Sequence, residues 1–122
     1  MLKLYTYQKC STCRDAVQWL KDRGIAFREI PIRETPPSVT ELKAMLNARG
    51  SLTKICNTSG MDYRALGLAV KLPGMTPEAV IALLSGNGNL IKRPFALDPE
   101  RSIYLTGFKK AEWEASLSAT PG

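Results

Sequence analysis

The first 32 residues read as strand, helix, strand, and that order restricts the possible folds more than any other feature. Residues 2 to 6, LKLYT, alternate as a short strand does. From Thr12 to Arg23 the apolar positions Cys13, Ala16, Val17 and Leu20 recur at helical spacing, and Gly24 stands where a helix ends. IAFREIPI, residues 25 to 32, reads as a second strand, with Pro31 marking an end that lies at a sheet edge or leaves the sheet. Two strands joined by a helix cannot form a tight antiparallel hairpin. The order favours a parallel pair with a right-handed crossover.

The remaining signals complete a mixed sheet. Pro36 and Pro37 break the chain, and Ser38 with Glu41 forms a capping box that opens a helix. Leu42, Met45 and Leu46 give that helix its apolar face, and Gly50 closes it. LTKICNTSG predicts a short helical turn ending at Gly60, and Asp62 is placed to cap a further short helix, Tyr63 to Leu66, stopped by Gly67. Thr76 as N-cap, Pro77 behind it and Gly86 past the end frame another helix. Phe95 to Leu97 and Ile103 to Leu105 read as strands joined by a turn from Asp98 to Arg101. Lys110 to Leu117 closes the pattern as a helix with Trp113 and Leu117 inward, and the tail SATPG is expected to fray. The expected fold class is α/β: a thioredoxin-like fold, β-α-β … β-β-α, with a mixed sheet flanked by helices on both faces. A helical insert at about 38–86 interrupts a single domain spanning 1–122.

Composition removes several classes of function. The chain has 122 residues, and 44% are apolar, enough for one packed core. No apolar run approaches the roughly 18 residues of a bilayer span, and the first residues are too polar for a secretory segment. The expectation is a cytoplasmic protein with no membrane partner. The net charge of +6 is spread along the sequence and aromatic residues are 7%, which argues against direct nucleic-acid binding. Histidine is absent, so no Ser-His or Cys-His pair can activate a nucleophile, and no Cys2His2 zinc site can form.

Cys10 and Cys13, in YQKCSTCRD, lie where the first strand gives way to the first helix. This spacing suits a metal site, a redox pair or two small core residues. Only three cysteines are present, so zinc would need Cys56 and a carboxylate as well. A cysteine at a helix N-terminus meets unpaired N–H groups and the positive end of the helix dipole, which favour the thiolate. Lys9 and Arg14 add positive charge. Cys13, one turn later on the inner face, is placed to attack a mixed disulfide on Cys10, so the redox reading is favoured. Ser11 and Thr12, between the cysteines, join Arg14, Asn57 and Pro94 as candidate substrate- or anion-binding residues. Cys56, beside no charged residue but Lys54, is assigned to the core. Arg93 and Pro94 precede the third strand. A cis bond there would direct Arg93 toward Cys10, where its guanidinium could steady a thiolate or hold an oxyanion. Lys92 reads as solvated charge.

CSTCRDAVQWL, RETPPSVTEL, NTSGMDYRALGL, LIKRPFALD and LTGF, taken in order, resemble segments of the arsenate reductase (ArsC)–Spx family, across residues 3 to 117. The resemblance implies a thioredoxin-like fold with a helical insert. Glutathione- and glutaredoxin-coupled arsenate reductases of that family use one cysteine and three arginines. By position the cysteine matches Cys10 and one arginine matches Arg93. Asn57 stands at a second arginine position and Gly107 near the third. The Spx-type branch has a Cys-x-x-Cys switch, an Arg-Pro and a late Gly-aromatic pair, which Cys10, Cys13, Arg93, Pro94, Gly107 and Phe108 match. Spx binds the α subunit of RNA polymerase. The resemblance therefore implies a thiol-dependent reductase with catalytic Cys10, Cys13 and Arg93, no bound cofactor, and glutathione as a candidate co-substrate. It would act on a small thiol or oxyanion, with a glutaredoxin- or thioredoxin-type donor. Redox-dependent binding to RNA polymerase α is the alternative.

Overall fold

A computed structural model describes residues 1–118 and resolves them into two compact units, 1–31 with 93–118, and 32–92. The rest of the SATPG tail, residues 119–122, lies outside the described residues.

The first unit is the sheet with two helices. Strands β1 (Leu2–Thr6), β2 (Phe27–Pro31), β3 (Phe95–Asp98) and β4 (Ile103–Thr106) stand in the order β2-β1-β3-β4. β1 pairs with β2 in parallel, as the opening β-α-β pattern requires, and β3 is antiparallel to both β1 and β4. β2 is an edge strand, in keeping with Pro31 at its end. On one face Leu2, Leu4, Ala96, Ile103 and Leu105 form a cluster with Ala16, Trp19 and Leu20 of α1 (Ser11–Asp22) and Trp113 and Leu117 of α6 (Lys110–Ser118). Trp19, Phe108 and Trp113 meet edge to face, with centroids 5.1–6.1 Å apart. Each such pair adds about 0.5–1.5 kcal/mol beyond its buried area. Trp113 also donates from Nε1 to the Gly107 carbonyl at 3.0 Å, which satisfies the polar atom of a fully buried indole.

The second unit, 32–92, is helical. Here α2 (Val39–Arg49) opens with the expected capping box. The Ser38 hydroxyl accepts from the Glu41 N–H at 3.1 Å, and the Glu41 carboxylate accepts from the Ser38 N–H at 3.0 Å. It ends at Gly50, whose φ of 88° is the left-handed conformation that glycine adopts without strain. It packs against α5 (Pro77–Ser85), burying Leu42, Met45, Val80, Ile81 and Leu84. Thr76 caps α5 through its hydroxyl, as expected.

Between these helices the structure departs from expectation. The 3-10 turn covers only Leu52–Lys54, and Gly60 precedes a helix rather than ending one. That helix, α3 (Met61–Ala65), starts a residue before Asp62, so Asp62 is not its cap. Its carboxylate accepts instead from Asn87 Nδ2 at 3.1 Å and Asn89 Nδ2 at 3.2 Å. Those two amides hold it below the usual carboxylate range, with Arg33 adding to the effect against some loss of hydration. A further short helix, α4 (Leu68–Lys71), follows Gly67.

Gly88 shows how closely the chain approaches itself in this unit. A Cβ at 88 would overlap the Ile32 carbonyl oxygen and fall 2.7 Å from its carbonyl carbon. Both obstacles are backbone and cannot rotate away. Gly88→Ala is expected to destabilise the protein by about 3 kcal/mol, at the upper end for overpacking, read as a lower denaturation midpoint. An unchanged midpoint would contradict this close approach.

Candidate active site

The turn from Tyr7 to Cys10 is closed by the Cys10 N–H donating to the Tyr7 carbonyl at 2.9 Å. Cys10 then adopts extended geometry (φ −94°, ψ 112°) as N-cap of α1, and its carbonyl accepts from the Arg14 N–H at 3.1 Å. Its Sγ takes the place of the usual capping oxygen and accepts from the Cys13 N–H at 3.3 Å. The thiol therefore lies where a helix terminus offers donors and partial positive charge. Cys10 is half-buried and Cys13 is 2% exposed, so one sulfur meets solvent and the other lies behind it.

Burial pushes the Cys13 thiol up to about 12, helped by its hydrogen bond to Cys10 and by the Cys10 charge. A Tyr7 backbone hydrogen bond and the Arg93 charge oppose this rise. Cys13 thus holds its proton firmly.

The Arg93–Pro94 bond is cis, and Pro94 is buried. The Arg93 guanidinium carbon lies 4.8 Å from the centre of the Tyr7 ring, and its Nη1 is buried with no hydrogen-bond acceptor. The Pro94 carbonyl accepts from the Gly107 N–H at 2.9 Å, and Gly107 has a φ of 70°. A side chain at 107 would be strained in that conformation.

The structure thus brings Cys10, Cys13 and Arg93 together in the first unit, where Pro94 follows Arg93 through the cis bond. Ser11 and Thr12 lie exposed on the first turn of α1. Arg14 is also exposed, and its Nη1 donates to the Gln8 carbonyl at 3.1 Å, tying down the loop before Cys10. Asn57 belongs to the second unit, where its Nδ2 donates to the Asn89 carbonyl at 3.3 Å. Cys56 is 1% exposed, and burial pushes its thiol up to about 11, as suits a core residue. Sequence reasoning missed Tyr7, which touches Cys10 and Cys13 through its backbone and Arg93 through its ring. Among the described residues no three Cys, Asp or Glu side chains converge as a metal site would need. No helix among them is long and apolar enough to cross a membrane.

A mixed sheet in this order, a cysteine capping the helix after β1 and a cis-proline ahead of β3 define a thioredoxin-like protein. Within that class the chain belongs to the ArsC family, whose model matches residues 5–116. It is 46% identical over 114 residues to YusI, an uncharacterized protein of Bacillus subtilis, spanning 93% of this chain and 95% of that one. It is 31% identical to the global transcriptional regulator Spx of Enterococcus faecalis, over 92% of this chain and 83% of Spx. The crystal structure of an ArsC family related protein from Bacteroides fragilis superposes with a TM-score of 0.87 at 41% identity, covering 94% of this chain and 96% of that one.

Proposed function

We propose that this protein is a thiol–disulfide oxidoreductase in which Cys10 attacks, Cys13 resolves and Arg93 holds negative charge at the site. One observation carries the reading: an accessible thiol caps a helix and accepts the N–H of a second, buried thiol one turn away. The Cys10 thiolate attacks one sulfur of a substrate disulfide. That S–S bond breaks, the first substrate thiolate leaves and takes a proton from water, and Cys10 is left in a mixed disulfide. Cys13 then gives up its proton and attacks the Cys10 sulfur, releasing the second substrate thiol. Two electrons have passed to the substrate, and the protein holds a Cys10–Cys13 disulfide. Glutathione, or a glutaredoxin- or thioredoxin-type dithiol, returns those electrons, so no bound cofactor is required. Diamide oxidation followed by peptide mapping tests this. A Cys10–Cys13 disulfide that glutathione reduces is expected, with Cys56 unmodified. Pairing through Cys56, or no disulfide, would overturn it.

Arsenate suits this site poorly. Of three arginines expected in an arsenate reductase, only Arg93 is present by position. Each missing charge-assisted contact forfeits about 1.5–3 kcal/mol. Arsenate turnover with glutathione and glutaredoxin is therefore expected to fall roughly 10²–10⁴-fold below a three-arginine enzyme, as measured by NADPH consumption. Equal turnover would show that other groups replace the missing cations.

The likeness to Spx supports a second reading, a redox-sensing regulator that contacts the RNA polymerase α subunit. A pull-down of that subunit with the reduced and the disulfide form separates the two. Binding in one redox state supports the regulator, and binding in neither leaves the oxidoreductase.

A further inference from the structure

Asn87 is the only asparagine in the chain that precedes a glycine; the other three, Asn47, Asn57 and Asn89, precede Ala48, Thr58 and Leu90. Glycine has no side chain to shield its backbone nitrogen, so that nitrogen can reach the side-chain amide carbon of the residue before it. Packing requires this glycine, because a Cβ at 88 would fall 2.7 Å from the Ile32 carbonyl carbon. The close approach that shapes the helical unit therefore also fixes a reactive pair at 87 and 88.

The fold restrains that pair. Asn87 Oδ1 accepts from the Asn89 N–H at 3.0 Å, which caps the 3-10 turn Gly88–Leu90, and its Nδ2 donates to Asp62 Oδ2 at 3.1 Å. Both polar atoms of the amide are thus engaged. Asn87 is extended (φ −151°, ψ 95°) and Gly88 is buried. Closing a ring between the amide carbon and the Gly88 nitrogen demands a different ψ, so the turn must open first.

We propose that Asn87 is a deamidation site guarded by Asp62, and that its conversion to a carboxylate releases α3 from the 87–90 turn. The Gly88 nitrogen attacks the Asn87 side-chain carbon, the bond from that carbon to Nδ2 breaks, and ammonia leaves with the Gly88 proton. Water opens the cyclic imide to aspartate or isoaspartate, and nothing is oxidised or reduced. The cap survives in the aspartate, whose oxygen accepts the Asn89 N–H as the amide oxygen did. The contact to Asp62 does not survive. A second carboxylate then faces Asp62 across the 3.1 Å that a hydrogen bond spans, and two such groups repel when both are ionised. Of the two amides only that of Asn89 is left to hold Asp62. This inference is independent of the thiol chemistry.

Ageing the full chain in mildly alkaline buffer, with peptide mapping that separates asparagine, aspartate and isoaspartate, tests the site. In the folded protein Asn87 is expected to convert before Asn47, Asn57 and Asn89. It should do so roughly tenfold or more slowly than in the urea-denatured chain, because conversion waits for local opening. Asp62→Ala should speed conversion in the folded protein roughly tenfold, about what one hydrogen bond to a charged group contributes to an opening equilibrium. Asp62→Ser serves if the alanine variant does not fold. Ser38→Ala weakens the α2 cap in the same unit without touching Asn87, and should change the rate much less. Trypsin cleavage after Arg64 reports release of α3. Asn87→Asp should raise it roughly tenfold, and adding Asp62→Asn, which restores one donor facing one acceptor, should return it to the wild-type rate.

Conversion spread evenly over the four asparagines, or equally fast folded and denatured, would overturn the guarded site. An Asp62→Ala or Asp62→Ser rate no higher than that of Ser38→Ala would overturn Asp62 as the guard. Cleavage of Asn87→Asp at the wild-type rate would overturn the release of α3, and faster cleavage that Asp62→Asn does not reverse would overturn the carboxylate pair as its cause.

Discussion

Cys10→Ser is expected to abolish disulfide exchange and leave the fold as stable as before or more so. The thiolate is the nucleophile in exchange, and a serine hydroxyl does not replace it. The loss should be on the order of 10³-fold or more, as when a nucleophile is removed from an enzyme. Stability should move in the other direction. Cys10 caps α1 through Sγ, which accepts from the Cys13 N–H at a long 3.3 Å. Serine is among the preferred N-cap residues and presents a stronger acceptor, so the substitution should add up to about 1 kcal/mol. A better cap with no activity would show that cysteine stands here for its chemistry rather than for the helix. Cys13→Ser should separate the steps. The first attack proceeds, the mixed disulfide on Cys10 accumulates, and intact-mass spectrometry finds it at one equivalent. Full multiple-turnover exchange by Cys13→Ser would show that an external thiol resolves the intermediate and that Cys13 is dispensable.

The parts of this molecule that were legible in the sequence are those whose causes are local. The opening β-α-β pattern, the Ser38–Glu41 box, the Thr76 cap and the Gly50 stop each rest on residues within one turn of one another. Between Leu52 and Asp62 the turn's end and the role of Asp62 differ from the local signals, because distant residues hold this stretch. Residues 55 to 57 bond to residues 90 to 92 through backbone groups, and Cys56 bridges to Ile91. Asp62 is engaged by Asn87 and Asn89 rather than by its own helix. Nothing within a few residues of Asp62 encodes that, so cap chemistry was the wrong guide. The site divides in the same way. Cys10 and Cys13 follow from a strand giving way to a helix, and Arg93 from its place before a strand. Tyr7, one residue past the first strand, carries no thiol or charge to mark it. Its ring meets Arg93 only when β3 enters the sheet beside β1.

The proton on Cys13 makes the resolving step strongly dependent on pH. While Cys10 is free, burial pushes the Cys13 thiol up to about 12, reinforced by the hydrogen bond and charge of Cys10. Far below that value the thiolate fraction rises tenfold for each pH unit. Once Cys10 enters a mixed disulfide, its charge is gone and its thiol no longer bonds to Cys13. Burial then remains as the raising influence, against the Tyr7 backbone hydrogen bond and the Arg93 charge that lower it. Cys13 therefore becomes easier to ionise once its attack is needed, and stays protonated while an early second thiolate would repel the first. In single-turnover mixing the disulfide-closing rate should rise about tenfold per unit from pH 6 to 8, roughly a hundredfold in all. Arg93→Gln should slow closure at each of these pH values, because it removes a charge that favours the Cys13 thiolate. Cys10→Ala should lower the pH at which Cys13 ionises, read from its thiolate absorbance, because both contributions of Cys10 disappear. A closing rate independent of pH across this range would mean that Cys13 is already a thiolate in the mixed disulfide, or that proton loss does not limit closure. Either outcome would sink this account of the resolving step.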